Sequence, residues 1–333
     1  GTIIITDGNL EYHQDASQFV DLRGDLTMEG GTFTIYGGGD DSYWPYTSNA
    51  GITMTDGVLD FVDNGIRIHS TNYSLTENIT GGRIRTAYGF NVYREDFTPS
   101  GGIIELYGTS DGYVRQASGS YFHGLEINKS AKNYALNPII KKPRNKETGE
   151  QGKSNSITAM TNLDINGDFI IQAGIFDAPG KMFVAGDWQN YVNDAAFIEG
   201  NDTVYFDGFS DQYCNFEVFY NLILSKPAGA LILNADDVFC TNYDWSSGDL
   251  TVNGGGLIVG DLVDNGIYGN INLFAGGIEF HQGTSGGEYV DLCGNLNIQG
   301  GSMYVSGGSD NSYWPYMHDA SLTMSGGTLD FQS

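Results

Sequence analysis

The feature that most restricts the fold is that the chain repeats itself at long range. GNLEYHQ at 8–14 returns as GGIEFHQ at 276–282, and FVDLRGDLTMEGG at 19–31 returns as YVDLCGNLNIQGG at 289–301. SYWPY occurs at 42–46 and unchanged at 312–316, and ITMTDGVLDF returns as LTMSGGTLDF, ending at Phe331. The first match is 268 positions apart and the others 270, so residues 1–63 recur as 269–333. A unit that restarts in this way must be able to follow its own copy. That favours architectures that stack along one axis over those that close on themselves. Fainter echoes lie inside: IIELYGTSDGYV from Ile103 resembles TVYFDGFSDQYC from Thr203, and FHGLEINKS from Phe122 resembles FYNLILSKP from Phe219.

The local pattern is a strand phrase, a glycine pair and a second strand phrase. In DLTMEGGTFTIYGG, Leu26 and Met28 alternate with Asp25, Thr27 and Glu29, and Phe33 and Ile35 with Thr32, Thr34 and Tyr36. Period two marks half-buried strands, and no comparable stretch has helical period. Glycine pairs suit corners that need positive φ or close backbone approach. The chain is therefore read as all-β, a right-handed parallel β-helix (β-solenoid) continuous through 1–333, whose stacked coils share one core. About fifteen coils of about 22 residues are expected. Tandem β-sandwiches are the alternative, because short, evenly spaced strands suit them too. Residues 141–156 break the pattern; KKPRNKETGEQGK at 141–153 holds five of the fifteen basic residues and reads as an inserted polar loop.

Composition narrows the partners. The net charge is −26, and no Lys or Arg follows Lys226. Nucleic acid is excluded as a partner, because phosphate binding needs cations to displace counterions. No run of about eighteen apolar residues occurs, so no membrane span is expected. Cys214, Cys240 and Cys293 show no metal-type spacing and are expected to be unpaired. The chain begins without Met and stops in mid-pattern, as expected of a piece of something longer.

The phrases GDWQNYVNDAAFIEGNDTVYFDGFSDQY and FYNLILSKPAGALIL resemble the repeats of very large secreted surface proteins of Bacteroidota. The matching positions are Gly186, Asp187 and Trp188, then 203–208, Gln212 and 219–226. The resemblance implies an extracellular, cell-surface protein exported by the type IX secretion system, with its sorting domain outside this segment. Such proteins are adhesins, matrix or filament components, and no catalytic residues carry over from them.

Parallel β-helices also house polysaccharide lyases and hydrolases, which need carboxylates at fixed separation. Asp40–Asp41 and Asp236–Asp237 are the only adjacent Asp pairs, and neither is followed by the phrases that typify pectin hydrolases. The chain is not expected to be an enzyme, and no cofactor is expected. Calcium at Asp40 and Asp41 is a lesser option with too few oxygens in one loop. Glu11 and His13, repeated as Glu279 and His281, share a strand face but lack the further ligands a transition metal wants. The SYWPY loops are the most distinctive candidates. Tyr43, Trp44 and Tyr46, with Tyr313, Trp314 and Tyr316, would stack on sugar rings if exposed. The competing reading is that the rings fold back to cover a coil edge. The sequons at Asn72, Asn78, Asn128 and Asn201 read as chance matches. The expected function is structural: a rod, filament or adhesin stalk whose partners are neighbouring repeats or other copies of the chain. Surface polysaccharide is the alternative partner.

Overall fold

The computed structural model describes residues 1–15, 20–37, 42–44, 50–68, 75–130, 155–262, 266–283, 289–308, 310–317 and 319–332. Tyr46, Asp40, Asp41, Asn72 and most of 141–156 lie outside them. The described residues contain strands and turns and no helix, so none is long and apolar enough to cross a membrane. They divide into two compact units, one from Gly1 to Pro179 and one from Gly180 to Gln332.

In the first unit one sheet runs through Thr2–Ile5, Asp25–Tyr36, Ala50–Phe61, Arg83–Thr86, Ile103–Gly108, Gly124–Lys129 and Phe169–Ala173. A second sheet runs through Ser42–Tyr43, Ile66–Ile68, Gly89–Val92, Gly112–Arg115, Ser156–Ala159 and Ile175–Asp177. These pairings are parallel, between coils rather than between adjacent strands of one coil. Sandwich sheets are built of antiparallel strands, so the tandem-sandwich alternative falls. The protein is a β-solenoid of about twelve turns rather than fifteen. Leu125 stands beside Phe169, 44 positions on, which takes more than one coil's worth of residues across the stretch that includes 141–156.

The core follows from the alternation. Phe33, Leu59, Ile84, Ile104, Leu125 and Phe169 form one inward column, and Ile35, Phe61, Thr86, Leu106, Ile127 and Ile171 the next. All are buried. Each inward Leu, Ile or Phe withdraws apolar surface worth about 1.5–3 kcal/mol, and in-register stacking lets every coil bury its face on the next. The second unit repeats the plan. Val238, Leu257, Ile278 and Met303 form one column, and Cys240, Val259, Phe280 and Val305 another. Asparagines ladder outside: Asn242 Nδ2 donates to Asn221 Oδ1 at 2.7 Å, and Asn295 Nδ2 to Asn270 Oδ1 at 2.8 Å.

The glycine corners are required by close approach. Gly31 has φ of +68°, and a Cβ there would stand 2.5 Å from the Gly8 carbonyl oxygen. Its repeat partner Gly301 has φ of +74° and would meet the Gly276 oxygen at the same 2.5 Å.

Candidate functional site

The Ser-Tyr-Trp of SYWPY forms the same clamp in both copies. Ser42 Oγ accepts the Val20 N–H at 3.0 Å, Trp44 Nε1 donates to Val20 O at 2.7 Å, and Asp21 Oδ1 accepts the Tyr43 N–H at 3.0 Å. The repeat reproduces each bond: Ser312 Oγ to Val290 N at 2.9 Å, Trp314 Nε1 to Val290 O at 2.5 Å, and Asp291 Oδ1 to Tyr313 N at 2.8 Å. The motif therefore fastens one coil to the preceding coil at residues 20–21 or 290–291. Trp44 is 1% exposed, edge-on to Phe61 at 5.2 Å between ring centroids. This corrects the reading that Trp44 offers a face to sugar: its ring is spent on the core. Trp314 is half-buried and edge-on to Phe331 at 5.0 Å, and Tyr43 is half-buried too. Tyr313 and Tyr316 remain 60% and 54% exposed, with ring centroids 5.9 Å apart.

Three residues of the family-like phrases, and Glu217 between the phrases, lie in the interior of the second unit. Trp188, Gln212, Glu217 and Lys226 are all buried. Gln212 donates to Val184 O at 2.8 Å and to Gly186 O, and its own oxygen accepts from Gly208 N at 3.0 Å and from Lys226. Lys226 Nζ also donates to Gly208 O at 3.0 Å and Ser210 O at 2.8 Å. Burial lowers the Lys226 pKa to about 8, against the pull of Asp211, Asp207 and Asp187. Glu217 accepts from Trp188 Nε1, Asn190 Nδ2 and Val218 N, each at 3.0 Å. Burial pushes its carboxyl up to about 8, in spite of those three donors. In the first unit Lys129, at the matching place in FHGLEINKS, donates to Ala87 O and Tyr107 O at 2.6 Å each and is likewise lowered to about 8 by burial. These ammonium groups tie down turns of earlier coils.

Among the described residues a dense charge cluster lies on the outer face of the first unit's first sheet. Asp60, Arg85, Glu105 and Glu126 are successive rungs of one column. Arg83 bridges Glu105 at 3.0 Å and Glu126 at 2.7 Å, and Arg85 bridges Glu105 at 2.9 Å and Asp60 at 3.2 Å. Tyr107 donates its hydroxyl to Asp60 at 2.7 Å. Burial raises the Asp60 pKa, countered by the Tyr107 hydrogen bond and Arg85. Sequence reading missed this cluster, because coils of unequal length brought Asp60 and Glu126 into one column. Two arginines bridge the three acids, which makes the cluster an electrostatic staple.

The Glu–His pairs stay at the surface. His13 Nε2 lies 3.3 Å from Glu11, stacked on Tyr36, and His281 Nε2 lies 3.0 Å from Glu279. Among the described residues no three of His, Cys, Asp and Glu gather as a metal site. The three cysteines are free, Cys214 and Cys240 in the core, where burial raises their thiol pKa values. No family model matches the chain, and neither curated proteins nor solved structures give a significant match.

Proposed function

We propose that this chain is a segment of an extracellular structural repeat protein, a rod, filament or adhesin stalk at a bacterial surface, and that it works without catalysis. One observation carries the reading: the long repeat restarts in the middle of a continuous ladder. Ile271–Leu273, which begins the second copy, pairs in register with Leu250, Thr251 and Val252 of the preceding coil. Gly277–Gln282 does the same against residues 256–259. A copy thus begins on the edge its predecessor leaves, and the SYWPY clamp forms again further on. Such a unit adds length without needing a new core or a new interface. The staples at Lys226, Glu217 and the Arg83–Arg85 cluster supply cohesion. The resemblance to type IX-exported surface proteins of Bacteroidota supports the compartment.

The test is length. Chains carrying one, two and three successive 270-residue units are imaged by electron microscopy. Equal increments in contour length are expected, near 4.8 Å for every coil added. Separate globules joined by linkers would refute the reading.

A further inference from the structure

At two places the first and second units carry different residues at matching positions, and the fold gives no reason for either difference. FHGLEINKS from Phe122 and FYNLILSKP from Phe219 align Gly124 with Asn221. Each pairs with the preceding coil, Gly124 beside Ile103 and Asn221 beside Thr203. Asn221 fills its place: it donates to Asp202 O and Thr203 Oγ1 at 3.3 Å each and accepts from Asn242 at 2.7 Å. Gly124 puts no side chain there, and an open groove of about 370 Å³ runs past Gly82, Ile103, His123, Gly124, Asp168 and Ile170. Backbone packing does not demand this glycine. A Cβ at Gly124 would meet nothing closer than Ile103 Cγ1 at 3.3 Å, whereas at Gly101 and Gly167 it would strike carbonyl oxygens at 2.1 and 2.3 Å.

The second difference is a knob. IIELYGTSDGYV and TVYFDGFSDQYC align Thr109 with Phe209. Both turns hold the next coil by the same device: Asp111 Oδ1 accepts the Ser156 N–H and Asp211 Oδ1 the Ala230 N–H, each at 2.9 Å. An exposed Thr109 serves in the first turn, so the turn does not require a phenyl ring. Phe209 is nevertheless 76% exposed, the most exposed large apolar side chain among the described residues.

We propose that Phe209 of one copy of the chain seats in the Gly124 groove of a second copy. The groove is lined mainly by glycine and aliphatic side chains, and no Trp, Tyr or Phe lines it to stack on a sugar ring. Such a lining suits a hydrocarbon side chain leaving water. Charge points to the same pairing. Asp207 and Asp211 flank Phe209, and Lys181 and Lys226 are the only bases after residue 180. Two Phe209 loops facing each other would set carboxylate against carboxylate. The groove instead adjoins Arg83, which pairs beside Ile103, in the part of the chain that carries the other thirteen bases. Knob and groove lie on different surfaces, so the contact is heterologous and each added copy brings a further knob and a further groove. The inference deepens the reading of a rod or filament by naming a contact between copies. The contour-length test does not depend on that contact, so failure here leaves the structural reading standing.

The experiment is sedentation of the whole chain over a range of concentrations, at low and physiological sodium chloride. Self-association is expected, stronger at the higher salt, because salt screens the repulsion between copies of net charge −26. Phe209→Ala should weaken it at least about tenfold with unchanged thermal unfolding. Gly124→Asn, which installs the residue of the matching position, should weaken it as much. Tyr191→Ala removes another exposed aromatic, 58% exposed, and should leave association intact. A benzophenone-bearing residue in place of Phe209 gives a readout that does not depend on the Gly124 variant folding. Its photo-crosslinks should fall on 81–82, 102–103, 123–125 or 167–170 of the other copy. A monomer at every concentration and salt, association undiminished by Phe209→Ala or by a folded Gly124→Asn, or crosslinks confined to other coils would each overturn the proposal.

Discussion

Lys226 shows how single residues hold this molecule together. Its ammonium sits in the interior and meets two backbone carbonyls and the Gln212 side chain. Removing the charge leaves those acceptors without their donor, and a buried polar group left unpaired costs about 1–3 kcal/mol. Lys226→Met should therefore destabilise by about 2 kcal/mol or more, read as a shift of the denaturant midpoint. Lys181→Met makes the control. Lys181 is exposed with its ammonium 5.9 Å from the Tyr205 ring centroid, and losing that contact should stay within about 1 kcal/mol. Equal losses for the two would show that the buried lysine is not a staple. Trp44 makes the same point from the apolar side: an aromatic in a glycine- and proline-rich loop looks exposed in sequence, yet its indole is used to fasten Val20.

At the scale of the element, the glycine corner decides whether coils stack at the strand-pairing distance. Gly31 and Gly200 both have positive φ, at +68° and +56°. A methyl at Gly31 would meet backbone at 2.5 Å, while at Gly200 the nearest atom is an Asp202 side-chain oxygen at 3.6 Å. Gly200→Ala should thus cost only the left-handed backbone penalty, about 1–2 kcal/mol. Gly31→Ala adds a backbone clash and should cost clearly more, with earlier proteolysis of the first coils. Similar losses for both would mean that coil spacing yields easily at the corner. The strand phrases around these corners were legible from period two and Gly–Gly. The polar columns were not, because a rung pairs residues anywhere from 18 to 45 positions apart, as Thr203 with Asn221 and Gly112 with Ile157. Which polar residues share a column depends on the length of every intervening turn.

For the whole molecule, a net charge of −26 is spread over stacked coils that share few cations, none of them after Lys226. Like charges so arranged repel, and salt screens them with a Debye length of about 8 Å at physiological strength. The unfolding temperature should therefore rise as sodium chloride is added from low to physiological concentration, measured by circular dichroism. A flat or falling profile would show that the acids are already neutralised within the fold.

The amino-acid order by itself determined the solenoid and the place where it restarts, because alternation and glycine pairs act over a few residues and the repeat is visible as identity. It also marked SYWPY and the Lys226 phrase as recurrent, without telling a clamp from a binding loop. Tertiary structure alone decided that Trp44 is core, that Glu217 is buried beneath three donors, and that Asp60, Arg85, Glu105 and Glu126 share one face. The reason is that burial and charge pairing here are set by neighbours about 4.8 Å away across the ladder, and those neighbours are a whole coil apart along the chain.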